Sequence, residues 1–473
     1  MAADAALRDT PLAARLAVKI CGFDGKQVTK RAREQARTCF IDTVGVTLAG
    51  MQEEATRILL ATPGVAEAPG QSLIFGTERR TSALDASLVN GTASHAHDFD
   101  DFSAVFGGHQ SVPLVAPLLA VAEERRLTGE QVLLAYIVGV ETEIRFARAV
   151  HFHHYDKGWH PTSTLGTFGA AAAICHLLRL DTAKTTMAIA IAASLAAGVK
   201  ANFGTMTKPL HVGQCGRNGL LAALLAERGF DANPCVLEHH QGFLNVFNGP
   251  GTFDAERLLA NWAKPLEIES QSIGLKQFPC CGSTHSAITA MLDLVREERI
   301  EADDVARLEV LPHGRRLRHT DTPHPKTPIE AKFSVQYVTA RALLSGAVRL
   351  RDFEGRAFDD PAIRRLLDIT EARAHPDMPD NAEEQWGAEV IVTLKDGRRL
   401  SRRIENLVGR GGDNPMSPEE LWAKFDDCAQ RVLAREQAAA LFEKLGALES
   451  IADINQLTRL LQASRRPEAR SVA

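Results

Sequence analysis

The sequence predicts a mainly α protein, a large all-helical domain into which a smaller α+β lid domain is inserted. Three observations carry this. Up to about Glu269 apolar residues recur at helical spacing, with Gly and Pro between segments and no strand–helix alternation. After Pro279 alternating apolar and polar runs begin. From Ser417 the helical spacing returns. Residues 1–269 and 412–473 are therefore assigned to the helical domain and residues 270–411 to the lid.

The elements follow in order. Leu12 to Leu48 holds two helices, the second with a stripe of Ala36, Phe40, Ile41, Val44 and Leu48. Helical patterns recur at Ala83–His97, Val115–Glu124, Gly129–Ala149, Ser163–Leu178, Thr182–Ala197, Gly213–Arg228 and Asp254–Trp262. In the smaller domain Val305–Leu311 alternates as a half-buried strand does. Trp386–Leu394 and Arg399–Ser401 flank an Asp396-Gly397 turn and read as a hairpin with a two-residue loop. Helices are expected at Ser283–Glu298, Ser334–Ser345 and Asp360–Leu367. The Gly-rich segment Gly409–Gly412 is the expected hinge of the lid. Ser417, Pro418 and Glu420 form an N-cap, a first helical position and a capping box.

Composition narrows the function classes. The 473 residues carry a formal net charge of -5, so there is no basic excess to neutralise nucleic-acid phosphates. The start lacks a signal-peptide apolar run, and Phe168–Val199 is broken by Arg179, Asp181 and Lys184. These features predict a cytoplasmic protein with neither nucleic acid nor membrane as partner. None of the eight cysteines forms a C-x-x-C pair, so zinc-ribbon and iron–sulfur ligand spacing is absent.

Five segments concentrate polar groups where a helical core offers no use for them. The first holds His95, His97, Asp98, Asp100, Asp101 and His109. A capped helix end with surface acids is its ordinary alternative. His109 stands out, because Gly107 and Gly108 would let the backbone approach a ligand closely. The second runs from Tyr155 to Thr164. Pro161 holds His160 extended, and Thr162 or Ser163 could cap a following helix that suits a carboxylate. The third, Thr205–Gly213, offers Lys208 before a proline and a helix starting at Gly213. The fourth, Lys276–His285, lies at the domain junction, where ligand sites concentrate. The fifth, Glu330–Tyr337, supplies a tyrosine. There is no P-loop, dinucleotide fingerprint or nucleophile elbow. Histidines with lysines suit proton transfer next to a carboxylate.

The segments HAHDFDD…GGHQS, KGWHPTSTLGTFGAAAA, TKPLHVGQCGRNGLLAALLAERGF, LKQFPCCGSTHSAI, EAKFSVQY and GDNPMSPEELWAKF, in this order, resemble the MmgE/PrpD family, from about Leu12 to Leu461. Members include 2-methylcitrate dehydratase, cis-aconitate decarboxylase and iminodisuccinate epimerase. The resemblance implies a homodimer that needs no metal. By motif match it places catalytic groups at His109, Asp98, His160 and Tyr337, and substrate-binding groups at Lys208, Lys276 and His285. His109 would transfer the proton, Asp98 orient it or act as its partner, and the lysines hold substrate carboxylates. His160 and Tyr337 would line the cleft. The pattern departs from the family's dehydratase and decarboxylase branches at Phe102, where a Thr is usual, and at Gln110, where a Pro is usual. The expected function is a cofactor-independent lyase of a small polycarboxylate, first a 2-methylcitrate dehydratase. An epimerase of an imino- or amino-dicarboxylate, a cis-aconitate decarboxylase and a non-catalytic metabolite-binding dimer are the alternatives.

Overall fold

The structure is a computed structural model that describes residues 10–378, 386–405, 407–409 and 413–463. It is mainly α. Backbone contacts divide the chain into two units. One comprises Met1–Leu275, Gly411–Asp413 and Ser417–Ala473, and the other Lys276–Arg410 and Asn414–Met416. The expected hinge falls mainly on residues 410–412, outside the described residues.

The first unit is built on helices that small residues allow to approach closely. Gly166–Leu177 is buried at every position except His176. A Cβ at Gly219 would sit 2.7 Å from the Thr167 carbonyl oxygen of that helix, so Thr207–Glu227 can lie directly on it. The same helix crosses Ala83–Ser94 at Gly91 and Gly213, where a Cβ on Gly91 would meet the Gly213 Cα at 2.8 Å. Any side chain at this crossing would push two backbones apart. The crossing fixes the end of one helix, where His95 stands, relative to the beginning of the other, which carries Lys208.

Helix ends are closed by the residues their chemistry favours. Thr128 and Gln131 form a reciprocal capping box on Gly129–Asp156, as do Ser417 and Glu420 on Pro418–Ala429. Three expectations change in this unit. Residues 254–262 form only a 3-10 turn, Ala255–Leu258. The helix expected from Gly213 starts at Thr207, so Lys208 lies in its first turn. Pro209 is tolerated there because the first N–H groups of a helix lack intrahelical acceptors. The unit also contains two short antiparallel ladders, Ser72–Leu73 with Arg80–Thr81 and Phe102–Ser103 with Ile273–Gly274.

The second unit has a four-stranded sheet in the order Thr370–Ala372, Val305–Pro312, Ala388–Leu394, Arg399–Ile404. The first pair is parallel and the others antiparallel. Thr370–Ala372 is too short to show a period and was not expected. The helices His285–Glu298, Val335–Ser345 and Pro361–Asp368 share the apolar core with the sheet. Arg399–Ile404 alternates exposed and half-buried residues and carries three arginines, which discourages pairing at that edge. The hairpin loop has three residues rather than two. Thr393 pairs with Arg399, the Leu394 N–H bonds the Arg398 carbonyl, and Gly397 takes φ +88°. That left-handed glycine makes a turn followed by a bulge, the usual three-residue solution.

Candidate active site

The first unit gathers its titratable residues where three helix ends meet. His95 caps the end of Ala83–Ser94. Asp98 takes φ +52°, a left-handed conformation that Asp tolerates better than most side chains. The chain then buries Asp100 and Asp101 and turns back through Gly107, at φ +67°. The Ser103 N–H bonds the Gly108 carbonyl, and this closure returns His109 to His95, with ring centroids 4.6 Å apart.

The glycines before His109 serve a different contact from the one expected. A Cβ at Gly108 would lie 2.6 Å from Thr162 Oγ1, and the His109 N–H donates to that same oxygen at 3.1 Å. The close approach is to Thr162. Neither Thr162 nor Ser163 caps a helix, because the Ser163 hydroxyl donates to the Ala197 carbonyl at 2.6 Å. The helix after His160 begins with the turn Pro161–Thr164, and Leu165, itself in a helical conformation, joins it to Gly166–Leu177.

The hydrogen bonds fix the chemistry of His109. Its Nδ1 lies 2.8 Å from the Asp101 carbonyl oxygen and 2.9 Å from Asp100 Oδ2. Both are acceptors, so Nδ1 carries the hydrogen and Nε2 is where a proton is taken up or released. Nε2 stands 3.4 Å from Asp98 Oδ1, and that oxygen accepts from Lys208 Nζ at 2.7 Å. The carboxylate at Nδ1 is therefore that of Asp100, and Asp98 lies on the proton-transfer side with the lysine. Of the two roles expected for Asp98, orienting the ring or acting as its partner, this position suits the second.

Three further histidines surround this pair. His95 Nδ1 is 2.9 Å from both oxygens of Asp100. Burial pushes His95 down to about 4, against the pull of Asp100. His160 Nδ1 meets His211 Nδ1 at 3.2 Å, so one ring donates to the other. Burial, reinforced by His95 and Lys208, holds His160 well below the ordinary imidazole range, and burial also lowers His211. These three rings are neutral at pH 7. Burial alone would raise Asp100, yet the two imidazoles keep it far below the ordinary carboxylate range. Next to it, burial and nearby Asp42 push Asp101 up to about 8, although the Ser111 hydroxyl donates to it.

His95, Asp98, Asp100 and His109 each offer a ligand atom within 4.8 Å of the others, a spacing a metal ion could use. The bonding argues otherwise. His95 Nδ1 is taken up by Asp100, His109 Nδ1 by the Asp101 carbonyl, and the Lys208 ammonium occupies Asp98.

Asp98, His109, His160 and Lys208 thus come together in one cluster, joined by His95, Asp100 and His211. Asp100 and His95 stood in the same motif, but the H-x4-D spacing that turns one carboxylate onto two rings is not a known signature. The other three candidates lie in the second unit. Lys276 is buried, and His285, also buried, opens the helix His285–Glu298 with its ring edge-on to Phe278 at 5.2 Å. Tyr337 does not line a cleft. It is fully buried in the second unit's core, its hydroxyl donates to the Asp352 carbonyl, and Arg341 Nε donates to it at 3.1 Å.

Comparison with known proteins bears on the whole chain. Residues 14–256 match the MmgE/PrpD N-terminal domain and residues 278–446 the MmgE/PrpD C-terminal domain. The chain belongs to the MmgE/PrpD family. It is 31% identical to human cis-aconitate decarboxylase over 96% of this chain and 95% of the relative. The mouse cis-aconitate decarboxylase is 29% identical over 94% and 92%. A cis-aconitate decarboxylase of Aspergillus terreus is 25% identical over 90% and 91%. Among the described residues, no helix of this MmgE/PrpD protein is long and apolar enough to cross a membrane.

Proposed function

We propose that the protein is a cofactor-independent lyase of a small polycarboxylate, and that its reaction is decarboxylation of a cis-aconitate-like unsaturated tricarboxylate. The observation that carries this is one oxygen, Asp98 Oδ1, linking His109 Nε2 to the Lys208 ammonium. A proton-transfer atom and a cation stand together at a partly open position. A substrate carboxylate can replace Asp98 as partner of Lys208, which brings its neighbouring carbon towards Nε2. In the decarboxylation, the bond from carbon to one carboxylate breaks and carbon dioxide leaves. The electron pair spreads over the adjacent double bond towards a retained carboxylate. The Nε2–H of protonated His109 then delivers a proton to carbon, and solvent restores it. Neutral His160 and His211 supply hydrogen bonds without competing for the substrate's charge.

Dehydration of a 2-methylcitrate-like substrate stood first on the sequence alone. Full-length relatives named as decarboxylases move decarboxylation ahead of it. Dehydration and epimerisation would use the same Nε2 as a base. We also propose that two copies associate, which sedimentation at assay concentrations checks.

Proton NMR in deuterated water with a panel of di- and tricarboxylates tests the reading. The expected result is consumption of cis-aconitate, release of carbon dioxide and a deuterated unsaturated dicarboxylate, unchanged after dialysis against EDTA. A vinyl signal from 2-methylcitrate would make the enzyme a dehydratase. Deuterium entry without net reaction would make it an epimerase. Silence across the panel would overturn the substrate class, and loss of turnover with EDTA would overturn cofactor independence.

A further inference from the structure

We propose that Asp100 is the positioning residue of this site, one carboxylate that sets the tautomer of His95 and holds a negative charge against the ring of His109. The argument begins with valence. An ionised carboxylate only accepts hydrogen bonds, so every ring nitrogen facing it must carry a hydrogen. Asp100 is fully buried and faces two such nitrogens, His95 Nδ1 and His109 Nδ1, each at 2.9 Å. Its side chain is closed off from bulk solvent, and the two rings stand edge to face at 4.6 Å.

The two histidines depend on it differently. His109 Nδ1 has a second acceptor, the Asp101 carbonyl at 2.8 Å, which keeps the ring in its tautomer without help. What Asp100 adds there is charge, placed on the face opposite Nε2, where it stabilises the imidazolium that forms when Nε2 takes a proton. His95 has no second acceptor at Nδ1 among the described residues, and its Nε2 is buried with no hydrogen-bond partner among them. Its tautomer rests on Asp100 alone. The substitution Asp100→Asn would separate the two roles. An amide oxygen at the Oδ2 position would still face both rings at 2.9 Å, while the N–H₂ at the Oδ1 position, also 2.9 Å from His95 Nδ1, would compete there and shift that ring towards carrying its hydrogen on Nε2.

The test is long-range nitrogen–proton NMR on protein labelled with ¹⁵N-histidine, with His95→Gln and His109→Gln to assign the two rings. In the unaltered protein both rings should show the Nδ1–H pattern. In Asp100→Asn the His95 signals should shift towards the Nε2–H pattern while those of His109 do not. A second arm, which rests on the lyase reading, measures turnover. For Asp100→Asn kcat should fall on the order of 10²- to 10⁴-fold, the scale seen when a histidine loses its carboxylate. KM should stay within about threefold, because the Asp98–Lys208 pair is untouched. An Nε2–H pattern for either ring in the unaltered protein overturns the proposal even if the variant fails to fold. So does a variant in which His95 is unchanged, or in which KM rises and kcat does not fall. Failure of the unaltered protein to turn over any substrate would count against the lyase reading and leave the tautomer result standing.

Discussion

Each unit holds a buried polar network, and the two differ in what they leave unused. In the second unit the Tyr337 hydroxyl donates to Asp352 and accepts from Arg341 Nε, and Arg341 Nη2 donates to the Ala357 carbonyl. The phenol's donor is spent inside the core. In the first unit His109 spends Nδ1 on Asp101 and Asp100 and keeps Nε2 beside Asp98 and Lys208, where the side chains are partly open. A buried group with every valence satisfied stabilises a fold. A group held firmly at one atom and left available at another can do chemistry. Residue type alone does not separate the two cases.

The sharpest way to break this contrast is to remove the available atom. His109→Gln should lower kcat by ~100-fold or more, the ordinary scale of a general acid or base. Its melting temperature should stay close to that of the unaltered protein, because the glutamine amide can still donate to Asp101. Steady-state kinetics and calorimetry on the same sample check both halves. A variant that keeps its activity would remove His109 from the mechanism.

Tyr337→Phe is the converse. It removes the buried hydroxyl that donates to the Asp352 carbonyl and accepts from Arg341 Nε. A stability loss of roughly 1–3 kcal/mol should appear in urea unfolding, with kcat changed less than about threefold. A large loss of kcat at unchanged stability would return Tyr337 to the site and erase the distinction between the two networks.

Much of this was legible in the chain. Long helices show in their period, and the Ser417 capping box shows in three letters. The motif that holds His95, Asp98 and His109 is visible because titratable residues crowd between apolar helices. What the chain did not reveal were relations across space. Asp98 and Asp100 are two residues apart and look interchangeable, yet one faces Nε2 and the other Nδ1. Gly108 marks a close approach, but only the fold shows that the neighbour is Thr162. The helix expected from Gly213 begins at Thr207, because Pro209 falls in its first turn, where a proline costs no hydrogen bond. Tyr337 was judged by its motif, while its burial settles how its hydroxyl is used.

The smallest expected effect tests the same rule on adjacent carboxylates. Asp100 faces two imidazoles and is ionised, whereas Asp101 sits near Asp42 and Glu143 and is pushed up to about 8. A carboxyl raised in the fold stabilises fully below its ordinary value of 3.8, and that stability drains away as pH rises through the folded value. Between about pH 5 and 7.5, unfolding should therefore release close to one proton from this group. Each pH unit would then cost about 1.4 kcal/mol of stability. Asp101→Asn removes the titration and keeps the backbone carbonyl that holds His109. Urea unfolding of both proteins at several pH values should show that the stability of the unaltered protein relative to the variant falls with pH, by up to one proton. Asp42, which burial raises to about 6 despite Lys424, and Glu143, which burial also raises, act in the same sense in both proteins, while the lowered histidines His95, His160 and His211 act in the opposite sense, and both contributions drop out of the difference. Parallel profiles for the two proteins would mean that Asp101 is ionised in the folded state. Two adjacent anions would then face the histidines, and the charge assigned to Asp100 alone would have to be shared between them.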